Sequence, residues 1–192
     1  MLGRAILTNR HYPTTLRIRL FRVFVETRLF YGLGTWRTPT LRQMKLLRTV
    51  YVALLKKVLR LGPQAHLSHG RIFQLAGTLD VRHLLALDRL RYAKKLFGDG
   101  PEFLQQLVHL EHSYCSDSWL HGLYADLAWL GRLVPDQFPQ PVGQDLTELI
   151  DFWQRPAAPW KRILRRGWRM ALTQEHMMTD AHELHRLFIT VL

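Results

Sequence analysis

The sequence predicts an all-α protein, an irregular bundle of about eight or nine helices, and three features of the chain carry that expectation. Apolar residues recur near every 3.6 positions over almost the whole length. No segment keeps the two-residue alternation of a half-buried strand. Glycine and proline stops, at Gly32-Leu33-Gly34, Gly62-Pro63 and Gly98, close the periodic segments.

Taken in order, Pro13-Thr14-Thr15 opens a first helix that runs to about Tyr31. Its apolar side chains go nearly all round, leaving Arg19, Arg22 and Glu26 as a polar stripe, so it is expected to be central and buried. Thr40 is placed to cap a long second helix that stops at Gly62-Pro63. Leu47, Val50, Tyr51, Leu54, Leu55 and Val58 form its apolar stripe. Arg42, Lys45, Lys56 and Arg60 fall within about 60° of one another on the other side, at 100° per residue, with Arg48 and Lys57 flanking them. Ser68 caps a short helix to about Ala76, and Asp80 is placed to cap another from Val81 to Phe97. Further helices are expected near 102–112, 118–132, 144–154, 159–173 and 179–190.

Charge divides the chain. Residues 1–100 hold 19 Lys and Arg against four acids, Glu26, Asp80, Asp88 and Asp99. Between 101 and 154 only Arg132 opposes eight acids, and then residues 155–169 bring six cations and no acid. The sign changes at Asp99-Gly100-Pro101. That predicts a basic helical domain over 1–98 and a helical extension over 99–192, acidic first and then basic. A net charge of +12 points to a polyanionic partner. One cysteine, Cys115, excludes an intramolecular disulfide framework and fits an intracellular, nuclear or cytoplasmic protein rather than a secreted one. No apolar run is long enough for a membrane span.

The motifs are few. Tyr31-Gly32-Leu33-Gly34-Thr35-Trp36 follows the first helix, preceded by Leu16-Arg17-Ile18-Arg19-Leu20-Phe21. Leu54-Leu55-Lys56-Lys57-Val58-Leu59 and Leu87-Asp88-Arg89-Leu90-Arg91-Tyr92-Ala93-Lys94-Lys95-Leu96 come after it. In order and spacing these four pieces, over roughly residues 4–97, resemble the region just after the palm of non-LTR (LINE-type) retrotransposon reverse transcriptases. Leu54 stands where that family commonly has cysteine, and the glycine-histidine that ends its last segment is missing. The resemblance implies a thumb, a helical element that grips the backbone of an RNA or RNA–DNA template-primer duplex. Arg42, Lys45, Lys56 and Arg60 would contact phosphates, Lys94 and Lys95 would form a second cluster, and Tyr31, Gly32 and Trp36 would fix the turn that orients the long helix. As residue types, all six cations equally suit a solvated helix face.

Catalysis is not expected from this chain. Reverse transcription needs paired metal-binding aspartates, and no Asp-Asp pair occurs. Tyr124-Ala125-Asp126-Leu127 resembles the family's Tyr-Ala-Asp-Asp turn, but its fourth residue is leucine and its neighbours have helical spacing. His109, His112, Cys115 and His121 are a weak metal-ligand pattern, poor in cysteine, and His176, His182 and His185 a weaker one. No cofactor is expected. The helix over Trp160–Leu172 sets Lys161, Arg162, Arg165, Arg166 and Arg169 on one face against Trp160, Ile163, Leu164, Gly167, Met170 and Ala171 on the other. Three readings of it stand: a core helix with a solvated face, a nucleic-acid contact, or a membrane-surface or partner helix. Two alternatives to nucleic-acid binding remain for the chain. One is a helical protein-interaction module using Trp119, Trp129 or Trp153, and the other a decayed retroelement fragment without retained function.

Overall fold

A computed structural model of the chain describes residues 9, 11–62, 66–137, 150–151, 153 and 159–191, with 137 and 182–191 described by backbone alone. The fold is all-α: seven helices and no strand occur among the described residues. They are α1 (Thr14–Phe21), α2 (Leu41–Leu59), α3 (His69–Ala76), α4 (Val81–Asp99), α5 (Glu102–Tyr114), α6 (Trp119–Leu133) and α7 (Trp160–Val191). The two C-terminal helices expected from the sequence are one, because residues 173–179 contain neither glycine nor proline to break it. The helix expected near 144–154 falls largely outside the described residues.

Two compact units form, and their division does not follow the change of charge at Asp99-Gly100. The first takes residues 1–31, 41–81 and 172–192; the second takes 32–40 and 82–171. The Gly-rich turn after the first helix thus belongs with α4, and the last half of α7 belongs with the N-terminal helices.

In the first unit Tyr51 is fully buried, with the rings of Phe21, Phe30 and Phe73 at 6.1, 5.1 and 6.1 Å. Val52, Leu55, Val58, Ile72 and Ala76 complete this core. Val52 rather than Val50 faces inward, so the apolar stripe of α2 is rotated slightly from its expected position. The first helix is not the buried rod its composition suggests. Only Arg17 and Phe21 of α1 are buried, while Val23 and Phe24, in the segment that follows, are exposed. That segment, Arg22–Glu26, is a π-turn leading to a short α-helical stub, Thr27–Leu29. The wider turn breaks the 100° register and carries two of the expected polar-stripe residues inward. Arg22 donates to the carbonyls of Ala76 and Gly77 at 3.1 and 2.7 Å, closing the end of α3. The Glu26 carboxylate accepts from the Tyr51 hydroxyl at 2.5 Å. Arg17 likewise donates to the Val58 carbonyl at 2.6 Å, at the end of α2. Arginines at helix C-termini satisfy orphan carbonyls and complement the negative end of the dipole.

α2 ends before Gly62. Arg60 has φ of 59°, Leu61 N donates to the Lys56 carbonyl at 3.0 Å, and Arg60 N donates to Lys57 at 3.1 Å. This is the hydrogen-bond pattern of a Schellman stop, with arginine where glycine is favoured. The second unit is built on Phe97, Leu87, Leu90, Leu120, Leu123, Leu127, Leu130 and Ile163, all essentially buried.

Replacing Arg60 by glycine removes the left-handed strain, and urea unfolding should show the variant more stable by about 0.5–1 kcal/mol. A loss of stability would show that the Arg60 side chain contributes more than its backbone costs.

Candidate nucleic-acid interface

On α2, the core takes Tyr51, Val52, Leu55 and Val58. Arg42 and Lys45 are exposed and Lys56 is half-buried, all three within an arc of about 60° on the outer side; exposed Lys57 widens that arc. Arg48 lies nearer the core side, pairs with Asp80 at 2.6 Å and sits 5.9 Å from the Phe73 ring centre. Arg60 is exposed but leaves the stripe, because the chain turns left-handed there and the helical step no longer applies. Among the described residues, none of Arg42, Lys45, Lys56 and Arg60 is in an ion pair.

The reason lies in where the carboxylates go. Four acids of the first unit have described side chains: Glu26, Asp80, Glu175 and Asp180. Glu26 is held by Tyr51, and Asp80 pairs with Arg48. Glu175 accepts from the Asp80 backbone N–H at 3.2 Å, and Asp180 faces Arg71 at 3.7 Å and Gln74 at 3.2 Å. None of the four neutralises the α2 stripe. His69 reports the same imbalance: burial first, then the charges of Arg48 and Lys56, hold its pKa below the usual histidine value against the opposing pull of Asp80. At the end of α2 burial, then the charge of Arg60, lowers the pKa of Arg17.

The second unit holds the other expected cations. On α4, Lys94 is half-buried and Lys95 exposed, and as sequence neighbours they point about 100° apart rather than along one face. Arg91 pairs with Asp88 at 3.6 Å. On α7, Lys161, Arg162, Arg165, Arg166 and Arg169 are all exposed, and Arg166 lies 3.8 Å from Asp136. Trp160, Ile163, Leu164, Gly167 and Ala171 are buried, with Met170 left exposed. The apolar face of this segment is therefore spent in the core and is not offered to a bilayer or a partner helix.

The Tyr31–Trp36 motif is anchored from its middle. Gly32 takes φ of 68° and Leu33–Thr35 form a 3₁₀ turn. Leu33 and Gly34 are buried, whereas Tyr31 is 85% exposed and Trp36 is also exposed. Gly34 N donates to the Asp88 carboxylate at 2.9 Å, and its carbonyl accepts from Trp119 Nε1 at 2.7 Å. A Cβ on Gly34 would lie 2.6 Å from the Asp88 carbonyl oxygen, so only glycine lets this turn rest on α4. The aromatic pair that was expected to fix the turn is replaced in that role by Leu33 and Gly34.

Asp126 has a structural task. Its carboxylate meets buried Arg89 at 2.8 Å, and Gly122 leaves room for the guanidinium: a Cβ there would sit 2.4 Å from Arg89 Nη1. The weak metal pattern does not assemble. His112 bonds Ser118 Oγ at 2.8 Å, His109 lies against Phe97, and no group of three metal-capable side chains occurs among the described residues. The side chains of His182 and His185 lie outside the described residues. Trp119, Trp153 and Trp160 are buried, and half-buried Trp129 stacks on His83, so of the three tryptophans considered for a docking surface two lie in the core and the third is partly covered. Among the described residues no helix is long and apolar enough to cross a membrane. Comparison with family descriptions, with curated proteins and with solved structures finds no match.

Burial pushes the Asp126 carboxyl up to about 6, against the pull of Arg89 and His83, and burial likewise raises Glu26 against its Tyr51 bond and Arg22. A carboxyl whose pKa is higher folded than unfolded favours the fold fully below its unfolded value of 3.8, and that contribution is lost as pH rises through about 6. The expected loss from Asp126 is on the order of 2–3 kcal/mol. Urea midpoints for the wild type and Asp126→Asn at pH 4.5 and 7 read it: the wild type should gain more stability on acidification than the variant. Equal gains would remove Asp126 from the account.

Proposed function

We propose that this chain binds the sugar-phosphate backbone of RNA or an RNA–DNA duplex through the outer face of α2, in the manner of a reverse-transcriptase thumb. One observation carries the reading: Arg42, Lys45 and Lys56 share one side of a helix while the nearby described acids are engaged elsewhere. Phosphates are the partner that such a face suits, because backbone recognition needs charge and a fixed spacing but no base contact. A 19-residue helix supplies that spacing rigidly, at about 1.5 Å per residue. Arg60 adds charge just beyond the helix end, and Lys57 adds it beside the stripe. Lys94 and Lys95 stand as a second, separate contact. The resemblance over roughly residues 4–97 is what suggests a thumb rather than another backbone binder. In this reading the chain grips and leaves polymer chemistry to a palm, since its sequence has no Asp-Asp pair.

The test is the salt dependence of binding. For wild type, the logarithm of affinity for a duplex hybrid should fall linearly with the logarithm of salt concentration. In Arg42→Glu/Lys45→Glu/Lys56→Glu the slope should become shallower by about 2–3 units, at roughly 0.7–0.9 per phosphate contact. A control with equal charge change, Arg19→Glu/Arg28→Glu/Arg132→Glu, should alter it by less than about one unit. Equal slopes in the α2 variant and wild type would leave a basic fragment without this function.

A further inference from the structure

α5 wears its amphipathicity inside out. Phe103, Leu107, Leu110 and Tyr114 follow the i, i+4, i+7, i+11 spacing of a packed helix seam and lie within about 60° of one another at 100° per residue. Yet they are 60, 54, 54 and 82% exposed. No residue of α5 is fully buried, and polar groups hold it within the second unit. Gln105 donates to the carbonyls of Leu96 and Gly100 at 3.1 and 3.2 Å, Glu111 pairs with Arg37 at 2.9 Å, and His112 bonds Ser118 at 2.8 Å. A contiguous apolar stripe left outward in this way marks an interaction surface.

We infer that this stripe pairs with the same stripe of a second copy of the chain, antiparallel about a two-fold axis passing between Leu107 and Leu110. The order of side chains points to this occupant. Aromatic, leucine, leucine, aromatic reads the same in both directions, so a two-fold sets Phe103 against Tyr114 of the second copy and Leu107 against its Leu110. That is the self-complementarity an isologous interface requires. The flanks do not oppose it: Gln106 and Ser113 lie on one side, Leu104 and Glu111 on the other, and Glu111 is already held by Arg37. Like charges therefore do not meet across the seam, although each copy carries +12 overall. The four exposed side chains offer roughly 500 Å² per copy, taking about 150–250 Å² for each whole aromatic. A pair buries about 1,000 Å², the lower edge of specific interfaces, which suits a reversible dimer of micromolar strength.

Sedimentation velocity of the whole chain tests this, under reducing conditions because Cys115 is free, and in high salt without nucleic acid. Over about 1–200 µM the wild type should pass from monomer to dimer. Leu107→Glu/Leu110→Glu should weaken association by at least about 100-fold. Its thermal midpoint should stay at that of the monomeric wild type, since both leucines are exposed. Leu107→Glu/Leu110→Lys sets unlike charges opposite each other under the two-fold, and should dimerise at least about tenfold more tightly than the double glutamate. A wild type that stays monomeric throughout, or a dimer indifferent to the double glutamate, overturns the surface. Equal weakening in both variants overturns the antiparallel two-fold.

Discussion

The placement of four carboxylates governs the electrostatics of the first unit. Glu26, Asp80, Glu175 and Asp180 each accept from a group of that unit, in turn a tyrosine hydroxyl, an arginine, a backbone amide, and an arginine with a glutamine. With these acids so engaged, Arg42, Lys45 and Lys56 are in no ion pair among the described residues. A surface ion pair stabilises by at most about 1 kcal/mol, so leaving these side chains unpaired costs the fold little. What it provides is a standing positive potential along a rigid element.

The same residue type does two different jobs within a few turns of chain. Arg17 and Arg22 reach inward to the last carbonyls of α2 and α3, where a guanidinium satisfies both the hydrogen-bond deficit and the helix dipole. The Arg42 and Lys45 side chains face out and make no hydrogen bond or ion pair among the described residues. Composition alone makes the N-terminal region look uniformly basic. Geometry separates structural cations from those left for a ligand.

Helical periodicity sufficed to read the fold class, most helix positions, the Ser68 cap, confirmed by its bond from Arg71 N at 3.2 Å, and the inward face of α2 from Tyr51 to Val58. Three features escaped it for physical reasons. The π-turn at Arg22–Glu26 has no compositional mark, and it turned an expected buried helix into one that exposes Val23 and Phe24. The stop at Arg60 precedes the obvious Gly62-Pro63 signal because the Schellman bonds close at a residue that pattern rules do not favour. The stripe on α5 has the spacing of a core face, and periodicity says only that residues share a side, never which side is covered. Asp126 shows the reverse case: its resemblance to a catalytic turn gives way to an ion pair with Arg89, a partner 37 positions earlier in the chain that local sequence cannot reveal.

Lysine reactivity reads the central claim directly, residue by residue. Limited acetylation with mass-spectrometric detection, in the presence and absence of a saturating RNA–DNA hybrid, should show slower modification at Lys45, Lys56 and Lys57. Lys161, on α7, should react at its free rate. Unchanged reactivity at the three α2 lysines, with the hybrid demonstrably bound, would place the contact elsewhere and contradict the role given to this face.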